Sequence, residues 1–355
     1  MTLQTLADEL GVSRTTVSNA YNRPEQLSDE LRDRILATAT RLGYAGPSAA
    51  ARVLRTGRHH AIGVVFTNDL RFVFSDPDTT TFLQGVAEAC ADAGTGVVLL
   101  PSPVGVPVDQ TALPHAAVDG FLVFSAAEAH PAVQAVIARD EPTLTVDEPD
   151  LGDGSAFLGI DDRGAATILS DHLHTLGHQR IGLVTLPMTV ERTDPHGERT
   201  VDQARTSPVR VVRERVLGVL DAGTDPIVWE ATANDPDAGR EAALELLRRH
   251  PELTAVIAFS DQIAIGVTQA AARMGIDVPG DLSVVGFDDI PRASTWDVPL
   301  TTIRQPLVEK GRIAASELLG MIDGGHAPSR HVLPIELVVR RSSGPAPAQA
   351  SDNSN

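Results

Sequence analysis

Apolar residues recur at helical spacing in three blocks at the start of the chain: Leu3, Leu6, Ala7 and Leu10; Val17, Ala20 and Tyr21; then Leu31, Ile35, Leu36, Ala39 and Leu42. Gly11 separates the first block from the second within the turn Gly11-Val12-Ser13. That spacing predicts a helix-turn-helix, whose second helix can lie in a DNA major groove. Ser13 suits the N-cap of the second helix, and Ser28 followed by Asp29 and Glu30 opens the third with acids on its positive dipole end. Gly43 is placed to stop it. The segment 47–57 then reads as a short Ala-rich helix, with Pro47 in its first turn and Gly57 at its end. It carries Arg52, Leu54 and Arg55, and at about ten residues it is marginal without a partner.

From Ala61 the pattern changes to short apolar runs alternating with helical periodicity. Strands are predicted at 61–66, 96–100, 120–124 and 142–146, with helices at 79–93 and near 131–138. A second set follows: helix 162–176, strand 180–185, helix 211–222, strand 226–229, helix 236–249, strand 254–259, helix 261–274 and strand 282–287. A helix at 306–322 and one terminal strand near 332–339 complete it. This βαβ alternation implies parallel sheets covered on both faces, in two lobes of similar layout. Ligands of such folds bind at the carboxyl ends of the strands. Residues 188–208 are polar with two prolines and read as a long mobile loop, and the tail 342–355 reads as disordered by composition.

Composition narrows the setting. A chain of 355 residues accommodates two or three domains, and no apolar run approaches the ~20 residues of a membrane helix. The N-terminus lacks a charged segment followed by an apolar one, so no secretory signal is expected. One cysteine, Cys90, excludes an internal disulfide and fits a reducing cytoplasm; it reads as a small buried hydrophobe. A net charge of −18 counts against a DNA partner until it is divided. The first sixty residues carry eight arginines against six acids, giving +2, whereas the remainder carries 21 basic and 41 acidic residues, giving −20. The cationic excess sits where phosphates would be met.

Catalytic motifs are missing: there is no G-x-S-x-G elbow, Walker loop, H-E-x-x-H or C-x-x-C. No cofactor and no metal site is expected. On the second helix, Arg14, Thr15, Thr16, Ser18 and Asn19 occupy the exposed N-terminal part. Arginine forks onto guanine O6 and N7, and asparagine pairs with adenine N6 and N7, so Arg14 and Asn19 are candidate base readers. Thr16 and Ser18 suit phosphate contacts, which set position rather than sequence.

The three-helix start, the PSAAARVLRTG segment and the following AIGVVF resemble the LacI/PurR family of transcriptional repressors, over residues 2 to about 341. The resemblance implies a helix-turn-helix headpiece at 1–46, a hinge helix at 47–57 and a periplasmic-binding-protein-like effector and dimerisation domain at 58–341. The lobes would be about 60–160 with 292–322, and about 161–290 with 324–341. Paired hinge helices of a dimer would enter the minor groove of a pseudo-palindromic operator, with Leu54 as the wedge between Arg52 and Arg55. Thr15 matches a further specificity position. Asp288, ending LSVVGF, and Arg215, in VVRERVLG, match cleft positions that hold vicinal hydroxyls. Asp161 matches another, beside a plain N-cap reading. Ser260 stands where relatives often carry Asn and reads as ligand contact or cap, and Asn234 falls near a position often aromatic. In FSDPDTTTFLQG, Asp76, Asp78, Thr79 and Thr80 stand where relatives show two aromatics, which points to a polar, hydroxyl-rich effector such as a carbohydrate or nucleoside.

These readings converge on a cytoplasmic, homodimeric regulator of double-stranded DNA controlled by a small molecule, with no membrane partner. Repression is the expected sign, although operator placement would also permit activation. The rival is a two-lobed solute-binding protein or sugar-active enzyme, which would keep all its function after deletion of residues 1–57.

Overall fold

The computed structural model describes residues 2–44, 57–189 and 197–347. The chain separates into two compact units, Met1–His60 and Ala61–Asn355.

The first unit holds α1 (Leu3–Leu10), α2 (Arg14–Asn22) and α3 (Asp29–Arg41). Each helix starts on a hydroxyl cap: Thr2, Ser13 and Ser28 accept from the backbone N–H of Thr5, Thr16 and Leu31. Such caps are worth about 1 kcal/mol each, a useful share of stability for so small a core. Gly11 ends α1 in the left-handed conformation that lets the chain turn into α2. The apolar stripes meet as Leu6, Ala7, Val17, Ala20, Ile35 and Ala39, with Tyr21 and Tyr44 edge to face at 6.0 Å. The helix expected at 47–57 lies almost wholly outside the described residues.

The second unit is built on two sheets. The first consists of β1 (Ala61–Phe66), β2 (Gly96–Pro101), β3 (Phe121–Phe124), β4 (Thr143–Val146), β5 (Ala156–Ile160) and β12 (Arg330–Leu333), all parallel in the order β12-β5-β4-β3-β1-β2. The second has β6 (Ile181–Thr185), β7 (Gly197–Arg199), β8 (Ile227–Glu230), β9 (Ala255–Ala258), β10 (Ser283–Asp288), β11 (Thr301–Arg304) and β13 (Glu336–Val338), in the order β13-β11-β10-β9-β6-β8-β7. Its interior is parallel and both edge strands are antiparallel. The strands are apolar on both faces because helices cover both sides. Around the first sheet lie α4 (Leu70–Ser75), α5 (Pro77–Asp92), α6 (Pro131–Ile137) and α13 (Leu307–Ile322). Around the second lie α7 (Asp162–Thr175), α8 (Val201–Arg205), α9 (Arg210–Asp221), α10 (Pro236–Arg249), α11 (Asp261–Met274) and α12 (Pro291–Thr295). Helices α5 and α13 approach so closely that a Cβ on Gly85 would stand 1.9 Å from the Val308 carbonyl oxygen, and one on Gly311 2.0 Å from that of Phe82.

Several sequence expectations are corrected. The expected lobe boundaries placed 292–322 wholly in the first lobe and 324–341 in the second. Instead β11 extends the second sheet, and only α13 returns to the first. The single terminal strand is two strands, β12 on the first sheet and β13 on the second, so the chain crosses between sheets three times: near Asp161, at Gln305-Pro306 and at Pro334-Ile335. Strand β5 and helix α4 were not anticipated. The expected loop at 188–208 contains β7 and α8, the latter opened by a Thr200–Gln203 capping box; residues 190–196 of it lie outside the described residues. The start of the expected disordered tail is tied down. Ser342 is fully buried, its Oγ accepting from Thr301 N and donating to the Val284 carbonyl, and Ala346 N donates to the Leu176 carbonyl at 2.8 Å. Small polar residues look disordered by composition, but here their backbone and hydroxyls complete bonds that the sheet and helices leave open.

Candidate functional site

Two surfaces hold the candidate residues. In the first unit, the cap on Ser13 and the buried Val17 and Ala20 fix which face of α2 turns outward. Arg14 and Thr15 stand exposed in its first turn. Thr16 is half-buried, its hydroxyl 2.8 Å from that of Ser13, and Asn19 donates Nδ2 to Gln26 Oε1 at 3.0 Å. Ser18 is half-buried on the same helix. Arg52, Leu54 and Arg55 lie outside the described residues.

The second unit contains a cavity of about 650 Å³ at the carboxyl ends of strands from both sheets. Phe66 and Phe124 end β1 and β3, Asp147 and Glu148 follow β4, Leu186 follows β6, Phe259 and Ser260 follow β9, and Asp288 ends β10. Of the effector candidates, Asp76, Thr79, Arg215, Asn234, Ser260 and Asp288 line it together. Asp161 does not. It is exposed and caps α7, accepting from Gly164 N at 2.8 Å; the residue turned inward is its neighbour Asp162. A one-residue shift at a helix start turns the side chain through ~100°, so the sequence motif alone could not choose between them.

Arg215 and Asp288 both line the cavity, but the ion pair of Arg215 is with Asp162, Nε to Oδ1 at 3.0 Å. Its Nη1 bonds the Phe259 carbonyl and its plane covers the Phe287 ring at 3.4 Å. Arg215 is thereby held rigid, which leaves Nη2 for a ligand. Asp288 has φ 109°, rare for a residue with a Cβ and a strain of order 1–3 kcal/mol that concentrates at functional sites. Gln305 Nε2 donates to its Oδ1 at 2.6 Å, and Gln305 Oε1 accepts from the fully buried Lys310, which also pairs with Asp147 at 2.8 Å. Ser260 Oγ caps α11 by accepting from Ile263 N and donates to Asn234 Oδ1. Thr79 donates to Asp76 Oδ2 at 2.6 Å; Thr80 instead bonds the carbonyls of its own helix. The wall is less uniformly polar than expected, because Phe66, Phe72, Phe124 and Phe259 bring aromatic surface from elements other than the expected helix.

Carboxyl groups dominate the electrostatics. Burial raises Asp76, and it raises Asp78 and Asp288 well above the ordinary carboxylate range; neighbouring carboxylates push the latter two further, against the pull of Arg215 on Asp288. Among the described residues no three acidic, histidine or cysteine side chains converge closely enough to hold a metal ion. Asp147, Glu148, His130, Gln305 and Lys310 were not singled out from the sequence as site residues, since nothing local marks a lone charged or histidine residue that becomes buried on folding.

Glu148 joins the two lobes. It extends from the first and accepts from Arg210 N at 2.7 Å, at the start of α9, which has no side-chain cap of its own. Burial raises its carboxyl to about 7. A carboxyl raised in the folded protein contributes stability that is fully present below its unfolded value and is lost as pH rises through about 7. Glu148→Gln keeps the accepting oxygen and removes the titration. The variant should gain on the wild type by about 1 kcal/mol between pH 6 and pH 8, on top of a lead that opens as pH rises above 4.5, read from chemical-denaturation midpoints. Parallel pH profiles for the two proteins would contradict this.

The comparisons with known proteins agree with this arrangement. The family of bacterial regulatory proteins of the lacI type matches residues 2–46, and the periplasmic binding protein-like domain matches residues 170–343. The HTH-type transcriptional regulator Rv3575c of Mycobacterium tuberculosis is 40% identical over 353 residues, covering 97% of each chain. A crystal structure of a LacI-family transcriptional regulator from Corynebacterium glutamicum superposes with a TM-score of 0.73 at 37% identity, over 97% of this chain and 98% of that one. A complex of the transcriptional regulator CelR with cellobiose does so at 0.70 and 26% identity, over 97% of this chain and 100% of that one. These relatives are regulators of transcription, not enzymes.

Proposed function

From the premise that this chain belongs to the LacI family of DNA-binding transcriptional regulators, we propose that it is a cytoplasmic homodimeric repressor whose operator affinity is set by a small polar effector, sugar-like in chemistry, bound in the cavity between the two sheets. The observation that carries the reading is the cavity itself. Its size suits a mono- or disaccharide, and aromatic faces share its wall with carboxylate, amide and hydroxyl groups, the mixture that polyhydroxylated ligands require. Arg14, Thr15, Thr16, Ser18 and Asn19 contact DNA, and so do Arg52, Leu54 and Arg55 of the connector. Arg215 Nη2, Asp288, Asn234, Asp76 and Thr79 hold the effector, and Ser260 orients Asn234. Effector binding changes the angle between the lobes, and the connector passes that change to the headpieces.

The test is anisotropy titration of a pseudo-palindromic duplex selected from a random library, across salt and with candidate sugars. Log K should fall linearly with log salt, with a slope of about −0.9 per phosphate contact. An active effector should shift operator affinity about 5- to 150-fold, and DNA should shift effector affinity by the same factor. A flat salt response, or no preference for any symmetric site, would refute the proposal.

A further inference from the structure

We propose that His130 is a specificity-determining residue of the cavity, its Nε2–H donating to an oxygen of the effector on the lobe that also presents the free Oδ1 atoms of Asp76 and Asp78 to the effector's hydroxyls. The inference rests on the cavity being the effector site and adds the residue and the bonding pattern that select what enters.

The tautomer of His130 is assigned by its position in the fold. It caps α6, Nδ1 accepting from Ala132 N at 3.2 Å, so that nitrogen carries no proton. Burial lowers its pKa, which keeps the ring neutral, and the single ring proton therefore lies on Nε2. The residue is 3% exposed and lines the cavity, yet Nε2 has no hydrogen-bond partner among the described residues. A buried donor left without an acceptor is costly, and a cavity wall is where a ligand supplies one.

Two acceptors on the same lobe are in the complementary state. Asp76 is 5% exposed and spends Oδ2 on the backbone and hydroxyl of Thr79, while its Oδ1 is unpartnered among the described residues. Asp78 Oδ1 is unpartnered in the same sense, and both residues line the cavity. A carboxyl oxygen without its proton only accepts and one that keeps it can also donate, whereas this imidazole nitrogen only donates. A hydroxyl satisfies both, because it donates through hydrogen and accepts through oxygen. An ammonium has nothing for His130. A phosphate dianion offers no donor to a carboxylate oxygen and brings negative charge into a cavity whose burial already holds Asp78 and Asp288 above the ordinary carboxylate range. The charges of the nearest cations are already compensated, Lys310 by Asp147 and Arg215 by Asp162, so Arg215 Nη2 offers a hydrogen bond without an unpaired charge.

The test is thermal shift followed by calorimetric titration of the full-length protein at pH 7.5 with D-ribose, D-glucose, cellobiose, sorbitol and adenosine, against glucose 6-phosphate and glucosamine. At least one neutral compound should bind, with the phosphate and the amine at least about tenfold weaker than it. His130→Asn keeps an oxygen where Nδ1 caps the helix and loses the donor. It should weaken the binding neutral compound about tenfold while leaving the ligand-free melting temperature unchanged. His130→Gln reaches the Nε2 position with an amide N–H and gives up the cap. It should hold affinity within about threefold while lowering the melting temperature. Wild-type affinity in His130→Asn, or tighter binding of glucose 6-phosphate or glucosamine than of the best neutral compound, would overturn the inference and leave the cavity reading intact. Binding that survives the cavity-filling Asn234→Trp would overturn the cavity reading itself, and silence from every compound would overturn both.

Discussion

Replacing Lys310 with alanine is expected to destabilise the two-lobed unit by about 3–5 kcal/mol, measured as the fall in its chemical-denaturation midpoint at fixed protein concentration. Lys310 is fully buried on α13, and Nζ bonds Asp147 Oδ1 at 2.8 Å, Asp147 Oδ2 at 3.0 Å and Gln305 Oε1 at 2.5 Å. Truncation removes the cation and leaves an acidic side chain with no compensating charge in a region already crowded with carboxyls, which costs far more than the pair contributes. The double variant Lys310→Met with Asp147→Asn should therefore recover most of the loss, since it removes both charges and keeps the volume. An exposed pair gives the contrast: breaking Arg312–Glu309 on the same helix should barely move the midpoint, because solvent screens both charges. A Lys310→Ala midpoint as high as that of an Arg312→Ala control would show that the buried pair carries no such weight. The effect should also reach the cavity, because Gln305, released from Lys310, is the residue that donates to Asp288.

The second large effect is expected at Arg14. It stands exposed at the first position of α2, where the Ser13 cap leaves its side chain uncommitted to the helix. A bidentate arginine–guanine contact is worth about 1–3 kcal/mol, and a dimer on a pseudo-palindrome makes it twice. Arg14→Ala should therefore weaken the selected duplex by at least about 30-fold and by more than ~1,000-fold for a strong contact. Affinity for a scrambled duplex should change little, and so should the salt slope. If both duplexes weaken alike and the slope falls by about two for the dimer, Arg14 holds phosphates instead. If neither changes, the helix face is misassigned. Effector affinity of the variant without DNA serves as the internal control, because the substitution lies in the other unit.

Much of the molecule was legible along the chain. The caps at Ser13 and Ser28, the turn at Gly11 and the apolar stripe from Leu6 to Ala39 are local signals, and each appears where the sequence places it. Strands such as 61–66 and 255–258 announce themselves by unbroken apolar runs, for a parallel sheet buries both faces. The cavity lies at the carboxyl ends of those strands, where such folds bind ligands, and Asp288 and Ser260, named for their match to the family's cleft positions, line it. Asp161 was the instructive miss. The motif identified the helix start, but the packing of α7 against α9 selected Asp162 as the residue that meets Arg215.

Sequence by itself determined the three headpiece helices, most of the helices and strands of the two lobes with their inward faces, and that a small cationic headpiece precedes an acidic body; all of these follow from spacing and charge within a few turns of chain. Tertiary structure alone decided that β11 and β12 join the sheets opposite to those expected, that Ser342 and Ala346 anchor the tail, and that Lys310 meets Asp147 across 163 positions. Periodicity records burial but not partners. Two sheets of similar composition offer a short apolar strand nearly equal shelter, and only distant hydrogen bonds and paired charges, formed when the lobes come together, choose between them.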